Sequence, residues 1–164
     1  MDNTKSNFTL VEKIILILSG FIVIVGCVIS MAAINNSEKE SIEVNVDVNK
    51  LLEDASENTD KREILRFVHQ LMHPLIITND NKEWGTQVVN KENIGNALIL
   101  IEYISSNLYF YDELKGYLLK MSEGNFEDAV TVHNLIWNYQ GGEIGRAIKL
   151  DEEEITIITE KYFQ

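Results

Sequence analysis

Residues 14–34 read IILILSGFIVIVGCVISMAAI, 21 positions without one charged side chain. At about 1.5 Å of rise per residue, a helix of that length matches the roughly 30 Å hydrocarbon core of a bilayer. A surface helix of a globular domain keeps one polar face, and this run keeps none, so it is expected to form a membrane helix. It exceeds the roughly 7 to 15 apolar residues of a cleavable signal, which favours a retained anchor. Two other fates stay open. Ala32 and Ala33 offer small residues for cleavage near a hydrophilic boundary, and Ile24-Val25-Gly26-Cys27 has the form of a lipobox, although seven more mostly apolar residues follow Cys27 where a lipoprotein turns polar.

Lys5 and Lys13 precede the run, and Lys39 is the one base in the residues just after it. That bias puts residues 1–13 in the cytoplasm and residues 35–164 outside it, as in a single-pass protein of the cell membrane. Residues 35–164 carry 24 acids and 12 bases, and so the whole net charge of −12. Such a charge repels phosphate backbones, which excludes nucleic acid and leaves membrane lipid along residues 14–34 and another envelope or membrane protein as the expected partners. Cys27 is the only cysteine, so neither an intramolecular disulfide nor a cysteine-based metal site can form.

Residues 35–59 are read as an acidic stalk in which Ile42, Val44, Val46 and Val48 alternate with polar residues, the period of an extended strand. Residues 60–164 are read as an extracytoplasmic all-α bundle of five helices, with room for a minor short β element. Asp60 and Glu63 form a capping-box pattern ahead of Ile64, Val68, Leu71 and Met72, and Pro74 ends that helix. Leu75–Thr78 and Thr86–Val89 are candidates for a short hairpin. A helix capped by Asn90 is apolar around most of its circumference and is expected at the centre of the bundle. Helices over Leu108–Ser122 and Phe126–Tyr139 and a last one after Asp151 complete it.

His69 through Pro74, the Lys82-Glu83-Trp84-Gly85 turn, and Val132-His133-Asn134-Leu135-Ile136-Trp137 followed by Gln140-Gly141-Gly142 and Gly145-Arg146-Ala147 resemble an uncharacterised family. Its members are small membrane-anchored proteins of Bacillus-type Gram-positive bacteria carrying a domain of unknown function. The resemblance implies a Gram-positive envelope setting and no activity, cofactor or catalytic residue.

His69-Gln70-Leu71-Met72-His73 has the i, i+4 histidine spacing of a helical zinc site. A zinc protease needs a glutamate after the first histidine as its general base, and Gln70 cannot accept the proton. Arg62, Arg66, His69 and His73 fall on one helical strip opposite the apolar stripe, which reads as a solvated cationic surface that answers the protein's own acids or docks an acidic partner. On that reading the guanidinium groups oppose a bound dication and Pro74 turns His73 out of line, so a metal site of His69, His73 and His133 is the minor alternative and no cofactor is expected.

His133 shares a face with Phe126, Ala129, Val130 and Trp137 and reads as a core histidine held by one hydrogen bond, with Asn134 as a structural neighbour. Trp137 is expected in the core against Leu98 and Ile101. Gly141-Gly142 follows a helix rather than a strand, which makes it a helix stop close to Trp137 or Trp84 and not a phosphate loop. Trp84-Gly85 is likewise read as structural. With no identifiable nucleophile and no distinct carboxylate pair, the chain reads as a membrane-tethered extracytoplasmic interaction or regulatory module. The alternative is an envelope enzyme or metal-dependent hydrolase using His69, His73 and His133.

Overall fold

The computed structural model describes residues 40–41 and 45–164. The apolar run 14–34 and Cys27 lie outside the described residues, among which no helix is long and apolar enough to cross a membrane. The described chain is mostly helical, with six α-helices and two small two-stranded sheets.

Strand β1 (Glu40–Ser41) is followed by helix α1 (Val48–Glu53), capped by Asp47, whose carboxylate accepts from the Lys50 N–H at 3.2 Å. Helix α2 (Lys61–Met72) starts at Asp60, whose side chain accepts from the Arg62 N–H at 2.9 Å, and a 3₁₀ turn over His73–Leu75 follows it. Next come β2 (Ile76–Thr78), β3 (Lys82–Glu83) and α3 (Lys91–Glu102), whose cap Asn90 accepts from the Asn93 N–H at 2.7 Å. Helices α4 (Tyr111–Ser122) and α5 (Ala129–Tyr139), strand β4 (Ala147–Leu150) and helix α6 (Glu152–Tyr162), capped by Asp151, complete the order. The sequence places the caps Asp60, Asn90 and Asp151 correctly because a capping bond is made within three residues.

Four expectations are corrected. The central helix is α2, packed against both α3 and α5. From Ile64 to Met72 every residue except Arg66 is buried, whereas Ile99 of α3 is 53% exposed. The expected hairpin between Leu75–Thr78 and Thr86–Val89 does not form. Instead β2 pairs antiparallel with β4, Ile76 opposite Leu150 and Thr78 opposite Ala147, across a register shift. Helix α5 begins three residues later than expected, because Asn125 closes a turn by accepting from the Glu127 N–H at 3.1 Å.

The fourth correction concerns the start of the domain. Residues 45–53, assigned by composition to the stalk, are part of the folded unit: Val46 and Leu51 are buried in the core and Val48–Glu53 is helical rather than extended. The device that holds them is Gln70. Its buried amide accepts from the Val46 N–H at 2.8 Å and donates to the Trp84 carbonyl at 2.8 Å, while its main-chain carbonyl accepts from the Gln87 N–H at 3.0 Å. One amide thus fastens two covering segments over the side of α2 that a helical wheel assigns to solvent. Gly85 is required in this layer, since its φ is +74° and a Cβ there would collide with the Gln70 amide.

Candidate metal centre

His69 on α2 and His73 at the start of the 3₁₀ turn after it lie four residues apart and on one face, since His73 keeps helical backbone angles. His133 comes from α5, which packs on that face. The His69 and His133 rings stack with centroids 4.2 Å apart, the His69 and His73 rings meet edge-on at 4.6 Å, and His73 lies 5.2 Å from His133. One ring nitrogen from each of the three lies within 4.8 Å of the others. All three are buried, His69 to 3% exposure and the other two to 0%.

A main-chain carbonyl orients one ring and a side-chain amide orients a second. His73 Nδ1 faces the carbonyl of Gly85, so it carries the proton and donates. Asn134 Nδ2 donates to the Ala147 carbonyl at 3.0 Å and its Oδ1 accepts from the Ala147 N–H at 3.1 Å, which leaves only one orientation for the amide. Asn134 Oδ1 is therefore an acceptor, and His133 Nδ1, 3.2 Å away, must donate to it. Protonated at Nδ1, a neutral imidazole presents its Nε2 lone pair, the arrangement by which outer hydrogen bonds prepare histidine for a metal.

The Nε2 atoms of His69 and His133 are buried with no hydrogen-bond partner among the described residues. A buried polar atom left in this state costs roughly 1–3 kcal/mol. Burial, with repulsion from His133 and His73 added, holds His69 well below the usual histidine range. Burial likewise pushes His133 down to about 4, only partly offset by Asn134. His69 and His133 are therefore neutral near pH 7 and carry lone pairs rather than charge. Tetrahedral Zn–N bonds of about 2.0–2.1 Å place ligand nitrogens about 3.4 Å apart, so small ring movements close the set on an ion.

These positions overturn the cationic strip. Arg62 is exposed and Arg66 half-buried, but His69 and His73 face the interior and cannot dock a partner. The objections to a metal weaken at the same time. Arg66 Nη2 lies 2.8 Å from the Glu63 carboxylate, which offsets its charge. The helix does end ahead of Pro74, but His73 as its cap keeps helical backbone angles, φ −58° and ψ −40°, because Pro74 continues into a 3₁₀ turn. His133 does have Asn134 as its hydrogen-bonding neighbour, but it is no solitary core histidine.

A cavity of about 380 Å³ reaches the cluster at His69 and is lined by Arg62, Arg66, Trp84, Trp137 and Ile144 among others. Trp137 is thus half-buried on a cavity wall and not in the core as expected. Its indole N–H donates to the Ile144 carbonyl at 2.7 Å, and the Trp84 indole N–H reaches the same oxygen at 3.4 Å. Gly142 lies directly on the Trp137 indole, where a Cβ would collide with the ring, which supports reading Gly141-Gly142 as a helix stop close to tryptophan. Gln70 and the cavity escaped sequence reasoning, since a buried amide and a concave wall leave no periodic signal.

No curated protein and no solved structure matches the chain. Residues 68–162 match the model of a family of unknown function, a span that holds His69, His73 and His133 and both tryptophans, while Arg62 and Arg66 precede it. With more than half of its length matched, the chain belongs to the family of unknown function DUF6241.

Proposed function

We propose that this chain is a metal-binding module of the cell envelope, in which His69, His73 and His133 bind one divalent transition-metal ion of the zinc class through their Nε2 atoms. The observation that carries the reading is the convergence of three buried imidazoles with one ring nitrogen of each within 4.8 Å of the others, His73 held at Nδ1 by the Gly85 carbonyl and His133 at Nδ1 by the Asn134 side chain. Three neutral nitrogens without thiolate suit zinc, cobalt, nickel or copper better than calcium or magnesium, which prefer oxygen. The apolar run 14–34 supports tethering to the membrane, and the residues before it support an outward-facing domain. The resemblance described above supports a Gram-positive setting, and the charge of −12 favours proteins of the envelope over nucleic acid as partners.

Calorimetry of the metal-free full chain in mild detergent, titrated with Zn²⁺, tests the metal. One ion per chain is expected, with uptake abolished in His69→Ala. A folded wild-type protein that takes up no stoichiometric zinc, cobalt, nickel or copper would overturn the proposal.

A further inference from the structure

We infer that the ion, once bound, keeps one coordination position open to the Trp84–Trp137 cavity, and that this position takes the carboxylate of a small organic acid. The inference rests on the metal reading above and adds a ligand to it. Three protein nitrogens are the usual protein share of a tetrahedral site that retains an exchangeable ligand, whereas structural zinc sites are closed by a fourth side chain. Among the described residues His69, His73 and His133 are the only group of three or more histidine, cysteine, aspartate or glutamate side chains placed to hold an ion. No fourth ligand of that kind stands with them among the described residues.

The open side is identifiable, because His73 and His133 are fully buried while His69 lines both the cluster and the cavity. The cavity wall then describes the occupant. Arg66 and Arg62 lie three and seven residues before His69 on the same face of α2; Glu63 and Glu143 line the cavity too, and Glu63 pairs with Arg66 at 2.8 Å, so the charge offered to an anion is that of the ion and of the exposed Arg62. A guanidinium fork matches a planar carboxylate. The indoles of Trp84 and Trp137 line the same cavity, and with their N–H groups already engaged by Ile144 they offer ring surface to an apolar or aromatic body. A volume of about 380 Å³ falls in the range of small-molecule sites and is too small for a folded partner.

The test uses the full chain loaded with Co²⁺, whose visible absorption reports coordination, titrated with benzoate, acetate and inorganic phosphate. The cobalt spectrum should form on metal addition, shift on saturation with benzoate, and shift at higher concentrations of acetate, which lacks the ring. Arg62→Gln should lower benzoate affinity about fivefold, the loss of one partly screened ion pair, while the spectrum of the anion-free protein keeps its shape. A cobalt spectrum that forms and ignores every anion would overturn the open position, and a response to phosphate alone would overturn the carboxylate assignment. Absence of any cobalt spectrum would instead defeat the metal reading itself, so the two failures are separable.

Discussion

Asn134 grips Ala147 by both of its main-chain groups, Nδ2 on the carbonyl and Oδ1 on the N–H, so the side chain of a helical residue joins the edge of strand β4. The same Oδ1 accepts from His133, which makes the strand part of the outer support of the histidine cluster. Asn134→Ala removes that support without touching a ligand. Zinc affinity should fall about 10- to 100-fold, the usual loss when an outer partner of a ligating histidine is deleted. Calorimetry on the folded variant checks it, and unchanged affinity would remove Asn134 from the site.

Ligand linkage gives a second expectation. An ion that binds the folded chain and not the unfolded one adds about 2.7 kcal/mol at a free concentration 100 times its Kd, which for a domain of this size raises Tm by roughly 10 °C. Thermal melts with zinc and with chelator should differ by that amount in wild type and coincide in His69→Ala.

In the metal-free protein the histidines make stability depend on pH. His133 is held at about 4 in the folded chain against an ordinary 6.5, so between those values the unfolded chain binds more protons than the folded one. Stability is therefore full above about pH 6.5 and is lost as pH falls toward 4. The shift corresponds to roughly 3 kcal/mol for His133, and His69 acts in the same direction. Urea unfolding at pH 7 and pH 4.5 with chelator present should show the loss, and His133→Gln should reduce the slope.

Two glycines with the same backbone sign should respond differently to alanine. Gly85 and Gly141 have φ of +74° and +75°, but a Cβ at Gly85 meets Gln70 while one at Gly141 meets nothing within 4 Å. Gly141→Ala should cost about 1 kcal/mol from backbone strain alone. Gly85→Ala adds a displaced buried amide and should cost at least about 3 kcal/mol. Equal denaturation midpoints for the two variants would show that Gln70 does not need the close approach.

The orientation expected for the tether has its own measurement. Protease added to intact cells stripped of their wall should degrade residues 35–164, because Lys5 and Lys13 lie before the apolar run. Full protection would place the domain inside.

What the sequence reveals and what it hides divide at α2. Its start at Asp60, its apolar stripe and the spacing of His69 and His73 are local, so the residues declare them. Its burial on the remaining side is not local. It depends on Gln70 binding chain 24 residues before and 14 residues after it, and a helical wheel treats those polar positions as solvated. The grouping of His133 with His69 and His73 stood in the sequence only as the minor alternative for the same reason, since 60 or more positions separate it from its ring neighbours and only the packing of α5 on α2 brings them together. Strand β4 was hidden because its partner β2 is equally remote in sequence, while the nearer Thr86–Val89 offered a plausible but unused match.

The chain has two tryptophans, and both indole N–H groups converge on the single carbonyl of Ile144. All of the intrinsic tryptophan fluorescence of this protein therefore originates at one wall of one cavity. Any occupant that displaces that loop or stacks on those rings changes the colour and intensity of the whole emission, and a paramagnetic ion at His69 would quench it, so the native chain carries its own optical readout of the site without a label.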